Sequence, residues 1–600
     1  MNIRWSLTRC VSPLWLMASG MFVYCAILTA LTGDVGFDGD DWWVLAWPYW
    51  HDFPGSMFGY AQEFLRPVEG IYWICMFELF GFNRIALHFA SLLLLASSCL
   101  LMGKCLTKAF PERPALAAMS TIFAFFLPMV ACLTYLVFTD NSRISLLLFW
   151  ASVLVFQLWA ERSASWFRLV IAVCLYLLSF LTYEASSFLI FVVPLLVWPI
   201  HKRNQTFSDG KFLMILAIGI FSAFTGALLL RYVFLNGGVV ENVALFPSWE
   251  LFWSYVALLP LYMIAPFTFP PEKLWVVFLG MMVAIVTTLM MYASQKKPIC
   301  KTEVGEDTGY NLFYEKWCPV VLGLGILFLG MLPYQMAGYG GTPPRIVDTV
   351  LAKYGLISDQ HPAWFNFNEA SRIYSSASYG VAILIAALAT ISSNAIFRKI
   401  ALIAVTSAIG CMATFHAGLS LDWKEASAIR NQQLRDWVSE APDVKPSTNF
   451  VFVDLELYHK RAAVIRGWAG LRELTRMLYD DPSLGAWYVY PSETAWPNIS
   501  RQQAIIFPTG FVSRGMVLDR PAPPDSLLIL RRLGTNLVLM NKLSSKDDFI
   551  KTGISWRGCD ELHSNPSRII YQRDTRTTPR RDSRNTRNTE LRSSLGLTAD

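Results

Sequence analysis

The sequence predicts a mainly α polytopic membrane protein of about 11 transmembrane helices, followed by a small C-terminal α/β domain outside the membrane. Three observations predict it. Of the 600 residues, 54% are hydrophobic and 16% are charged, where a soluble domain carries about a quarter. Apolar stretches of roughly 20 residues, the length that crosses a bilayer, recur along the chain. Beyond residue 420 the pattern changes to short strand-like runs separated by helical ones.

The apolar stretches fall at 11–32, 84–105, 115–138, 144–160, 168–182, 184–200, 211–234, 274–294, 317–336, 376–394 and 399–418. Arg4 and Arg9 precede the first, which reads as an anchor because no small-residue cleavage site follows. The run over 168–200 breaks at Thr182-Tyr183-Glu184, which predicts two short helices meeting at a membrane face. Residues 251–267 hold Pro260 and Pro266 and read as a re-entrant or interfacial hairpin. Basic clusters at Arg4/Arg9, Lys104/Lys108/Arg113, Arg162/Arg168, Lys202/Arg203/Lys211, Lys296/Lys297/Lys301 and Arg398/Lys399 all fit one side, taken as the inside. That placement puts Asp34–Asp52, Asp140, Glu184 and the 337–375 loop outside.

The expected organisation is a membrane domain over 1–420 with an external loop at 33–70, a soluble domain over 421–572, and a disordered basic tail over 573–600. Strand-like runs in the soluble domain are Asn449–Asp454, Ala486–Tyr490 and Leu527–Leu530. The net charge of +6 sits in short clusters between spans, the pattern of a membrane protein rather than of a nucleic-acid partner. The 11 cysteines show neither disulfide nor zinc spacing.

The conspicuous candidate for chemistry is GDVGFDGDDWWVLAWPYWHD, from Gly33 to Asp52. Asp38, Asp40 and Asp41 can take a proton or hold a cation; Trp42, Trp43 and Trp47 can stack on a sugar or lipid head group. The alternative is a solvated acidic turn. Arg66, before Pro67, has the fork that binds phosphate, or it is an interfacial arginine that snorkels. His88 on an apolar helix reads as packed and hydrogen-bonded. Thr139-Asp140-Asn141-Ser142-Arg143 is a short external turn in which Asp140 and Arg143 pair locally or reach a shared cavity. Glu184 interrupts an apolar run, a functional position or a helix cap. Arg345 and Arg372, in the late loop, meet a lipid phosphate or simply solvate it. There is no Walker loop, Rossmann fingerprint, HExxH or GxSxG, so an activated substrate would arrive from the membrane.

This order of parts resembles the GT-C glycosyltransferases, which include protein O-mannosyltransferases and the lipid A aminoarabinose transferase. The matching residues are Asp40-Asp41 after the first span, Phe64-Leu65-Arg66-Pro67, Phe80-Gly81-Phe82-Asn83 with His88, Thr139-Asp140, and in part Tyr183-Glu184, where the family carries Lys-Glu. The resemblance implies transfer of a sugar from a polyprenyl-phosphate donor to a glycan, lipid or protein acceptor, usually with inversion. It implies Asp40 as base, Asp41 or Asp38 positioning the acceptor, and Arg66 with Arg345 or Arg372 on phosphate. Trp42, Trp43 and Trp47 would line the approach, and a divalent cation is compatible with the acids but not required. The implied location is a bacterial inner membrane, with the site on the periplasmic face. A polysaccharide polymerase or ligase would carry a late arginine-rich loop. A lipid-linked sugar flippase or transporter would show paired broken helices, whereas this chain shows one such break.

Overall fold

The computed structural model describes residues 13–33, 35–37, 39–51, 66–127, 139–161, 165–204, 207–235, 273–295, 316–336, 374–391, 394–441 and 581–595, the regular elements within 444–539, and isolated positions at 55, 256–267 and 597. Its helices are α1 (Pro13–Thr32), α2 (Gly39–Trp50), α3 (Pro67–Phe80), α4 (Arg84–Ala109), α5 (Pro114–Phe126), α6 (Asp140–Glu161), α7 (Trp166–Thr182), a 3-10 turn over Glu184–Val192 leading into α8 (Val193–Asn204), α9 (Asp209–Leu235), α10 (Leu274–Gln295), α11 (Cys318–Met336), α12 (Ala377–Ile391) and α13 (Ala395–Glu440).

Six helices among the described residues are long and apolar enough to cross a membrane: Leu14–Leu31, Arg84–Ala109, Asp140–Glu161, Glu184–Asn204, Asp209–Leu230 and Ile396–Glu440. Shorter apolar helices accompany them at Pro114–Phe126, Trp166–Thr182, Leu274–Leu289, Cys318–Pro333 and Ala377–Ile391. Their outward faces are as apolar as their packed ones. Phe221 is 70% exposed and Leu274 77%, which suits helices that face lipid. Small residues let backbones approach. A Cβ on Gly380 would lie 2.3 Å from Leu327 N where α11 and α12 cross.

Local chemistry explains the punctuation between α3 and α4. Pro67 occupies the first turn of α3, where its missing N–H costs nothing. Gly81 ends that helix with φ +53, a region that disfavours side chains. Asn83 then caps α4, its side-chain oxygen accepting from Ala86 N at 3.1 Å. The Phe80-Gly81-Phe82-Asn83 motif is therefore a stop signal followed by a start signal. The predicted break after α7 is also present: Tyr183 is extended, and Glu184 opens the 3-10 turn.

Three features of the structure bear on the expected organisation. The 420/421 boundary runs through a continuous helix. α13 has 46 residues, about 69 Å at 1.5 Å per residue and twice a hydrocarbon core. The segment expected as an external loop contains all of α2 and the first turn of α3. The segment expected as a disordered tail contains helix α15 (Arg581–Ser594), because Leu591, Leu595 and Leu597 have a surface to bury against.

Between α13 and α15 lie β1 (Asn449–Val453), α14 (Trp468–Leu478), β2 (Gly485–Val489), β3 (Leu527–Leu533) and β4 (Asn536–Leu539), in a sheet of order β2-β1-β3-β4. β1 is parallel to both β2 and β3, while β3 and β4 form an antiparallel pair. Trp437 at the end of α13 packs edge-on against Phe450 and Phe452 of β1, at 4.9 and 4.7 Å. Tyr479 donates from its hydroxyl to Ala441 O at 2.6 Å. The strand region is thus fastened to the last membrane helix by aromatic packing.

A candidate functional site at one end of the bundle

The acidic run is held down at its N-terminal edge. Val35 offers its backbone to His88 of α4, and the His88 ring stacks on Phe37 at 6.4 Å. Gly36 N donates to Ser427 Oγ of α13 at 2.9 Å. A Cβ at Gly36 would fall 2.2 Å from Arg430 Nη2, so glycine lets the chain cross the guanidinium. α2 then starts at Gly39. Asp41 lies in its first turn, where a negative charge is favoured, and is 1% exposed.

α2 is far more of a core element than its acids suggested. Trp42, Val44, Leu45, Ala46, Tyr49 and Trp50 are buried. Trp42 meets Phe37 edge-on at 5.2 Å and is 2% exposed, so the expected role at a sugar approach does not fit it. Trp43 and Trp47 are half-buried, and Trp47 stacks on His51 at 5.2 Å.

Two polar knots lie beside this run, and α3 joins them. In the first, Arg66 Nη2 donates to Glu184 at 3.0 Å, and Nη1 lies 3.6 Å from Glu69. The guanidinium sits over the Tyr183 ring at 4.4 Å. Arg66 and Glu184 remain 20% and 27% exposed, while Glu69 is 2% exposed. In the second knot, three residues further along α3, Tyr72 donates to Asp140. Asp140 also accepts from Ser91 Oγ at 2.8 Å and from Arg143. Burial first, and then the Asp140 charge, push the Tyr72 phenol above its ordinary value and hold it as a donor. Ser91 stands one helical turn from His88 on α4, which brings the second knot up to the anchored run.

The predicted residues therefore divide. Arg66 and Glu184, 118 positions apart, are brought into direct contact. Asp140 and Arg143 pair with each other, but at 0% and 1% exposure. Both are closed off from solvent, and Asp140 links α6 to Tyr72 of α3 and Ser91 of α4. Asp38, Arg345 and Arg372 lie outside the described residues, as does the side chain of Asp40. Among the described residues no group of three His, Cys, Asp or Glu side chains could hold a metal ion.

Sequence reasoning missed Glu69, Tyr72, Ser91 and Arg430. Glu69 carried a signal, a lone acid in an apolar helix. Tyr72, Ser91 and Arg430 matter only through tertiary contacts, which no local pattern announces.

Comparison of the chain with protein-family models, with curated proteins and with solved structures found no match.

Proposed function

We propose that this protein transfers a sugar from a polyprenyl-phosphate donor to a glycan, lipid or protein acceptor, as a GT-C-type glycosyltransferase. In this proposal about 11 spans cross a bacterial inner membrane. The basic clusters face the cytoplasm, and the strand region forms an α/β domain on the periplasmic side with the site. The observation that carries the reading is the Arg66–Glu184 pair: a forked cation and a carboxylate, both partly exposed, joined at the end of the bundle where the acidic run is anchored.

The chemistry needs two things of such a site. A base must take the proton of the acceptor hydroxyl as that oxygen attacks the anomeric carbon, and a cation must stabilise the phosphate that leaves with the bonding electrons. Asp40 is assigned as the base and Arg66 as the phosphate ligand, exchanging Glu184 for phosphate oxygens when the donor binds. Asp41, buried in the first turn of α2, helps to hold that turn, and with it Asp40, in place. Trp43 and Trp47 flank the approach, and Tyr72, Asp140 and Arg143 keep α3, and with it Arg66, in place.

The test is an incubation of purified protein in detergent with a polyprenyl-phosphate sugar. Wild type should release or transfer sugar without a membrane gradient, and Asp40→Asn, accumulating normally, should not. Equal activity in that variant sinks the assignment of the base. Absence of turnover in the wild type, with gradient-driven movement in vesicles, would make the protein a transporter.

A further inference from the structure

Helix α15 lies across the acid-bearing end of the bundle, and its contacts converge on one place. Arg587 Nη1 donates to Pro48 O at 2.8 Å and to Tyr49 O at 3.5 Å. These belong to the last turn of α2, whose carbonyls have no partner within the helix. The other arm of the guanidinium, Nη2, donates to Glu78 of α3 at 2.8 Å, and the group lies 5.2 Å from the centre of the Phe77 ring. Asn588 donates to Met477 O at 2.6 Å and to Tyr49 Oη at 3.4 Å, while Tyr49 itself donates to Met477 O at 3.3 Å. Leu591 and Leu595, four and eight residues after Arg587, are buried. One face of α15 thus ties together the end of α2, the end of α3 and the end of α14.

We infer that α15 is a docking strap that holds the acid-bearing helix in register, with Arg587 as its positioning residue. A 14-residue helix as polar as RDSRNTRNTELRSS is marginal alone in water, so it forms because it docks. The forked guanidinium serves two helices at once. It supplies a C-terminal cap and a favourable charge to α2, and fixes α2 against α3, the helix that starts beside Arg66. Asp40 and Asp41 sit at the opposite end of the same 12-residue helix, so fraying or tilting of α2 displaces them.

Hydrogen exchange on the full-length protein in detergent tests the strap whether or not the proposed chemistry is right. In Arg587→Ala the amides of Tyr49, Trp50 and His51 should exchange about tenfold faster, while those of α6 are unchanged. Arg587→Lys should not restore the wild-type rates, because a single ammonium cannot serve both arms. Asn588→Ala should give the same local pattern and stands in if Arg587→Ala does not accumulate. Unchanged exchange in α2 overturns the strap. The positioning role rests on the proposed transferase activity and predicts a lower kcat with an unaltered KM for the donor in Arg587→Ala. Faster exchange with unaltered kcat overturns that role. Faster exchange with no turnover even in wild type leaves the strap standing and removes the proposed function.

Discussion

The two ends of the helix bundle differ in their most buried charged pairs. At one end the basic residues meet partners near the surface. Lys108 pairs with Glu161 at 2.5 Å, Lys202 with Asp209, Arg113 donates to Thr390 at 2.9 Å, and Arg203 reaches the Lys108 carbonyl. Glu161 and Asp209 are 36% and 52% exposed. At the other end Asp140 and Arg143 are closed off from solvent, and Arg66 threads between a buried and a half-buried carboxylate. Exposed pairs contribute little and tolerate change. Buried ones cost desolvation that an apolar substitute would avoid, so their retention calls for a reason beyond stability. We place function at the end where charge is expensive.

Substitutions can break or sharpen this contrast. The largest effect is expected from Arg143→Met, which leaves the Asp140 carboxylate buried without its cation. It should cost about 3–5 kcal/mol in denaturant unfolding, and Asp140→Asn added to it should recover part of the loss. Full stability in the single variant would mean the second knot is not a charged pair. Arg66→Lys comes next. The charge stays but the fork and its stacking on Tyr183 are lost, so transfer should fall about 100-fold with unfolding little changed. Wild-type turnover there would remove Arg66 from the phosphate role. Gly36→Ala should cost about 1–3 kcal/mol, because Arg430 must give way, and a neutral result would show that the acidic run is looser than described. Lys108→Ala, at the solvated end, should lie within about 1 kcal/mol of wild type and leave transfer intact.

The same contrast explains what was legible in the sequence. Membrane helices announce themselves by composition, and the break at Tyr183, the stop at Gly81 and the cap at Asn83 are local events with local signals. The extension of α13 was not legible, since residues 419–440 are polar enough to read as a new region and become helix by packing Trp437 onto β1. α15 left only Leu591 and Leu595, four residues apart, as a trace of periodicity. Within the site, ionisable groups in apolar surroundings stood out singly. That Arg66 meets Glu184 depends on how α3 crosses the end of α7, which no spacing encodes. Trp42 shows a physical limit of the sequence: an indole that stacks on sugar and one that fills a core look alike until burial is known. The Phe80-Gly81-Phe82-Asn83 motif shows the reverse, a pattern taken as a functional resemblance that the helix termini explain by themselves.

The central claim is that one end of the bundle does chemistry and the other only anchors it. The most direct measurement is sugar transfer from a polyprenyl-phosphate donor by purified wild type, Arg66→Lys, Glu184→Gln and Lys108→Ala, each normalised to folded protein. The account predicts turnover in wild type, Lys108→Ala and Glu184→Gln, whose carboxylate the donor displaces, and a loss of at least about tenfold in Arg66→Lys. Equal rates across all four, or a loss confined to Lys108→Ala, would contradict it.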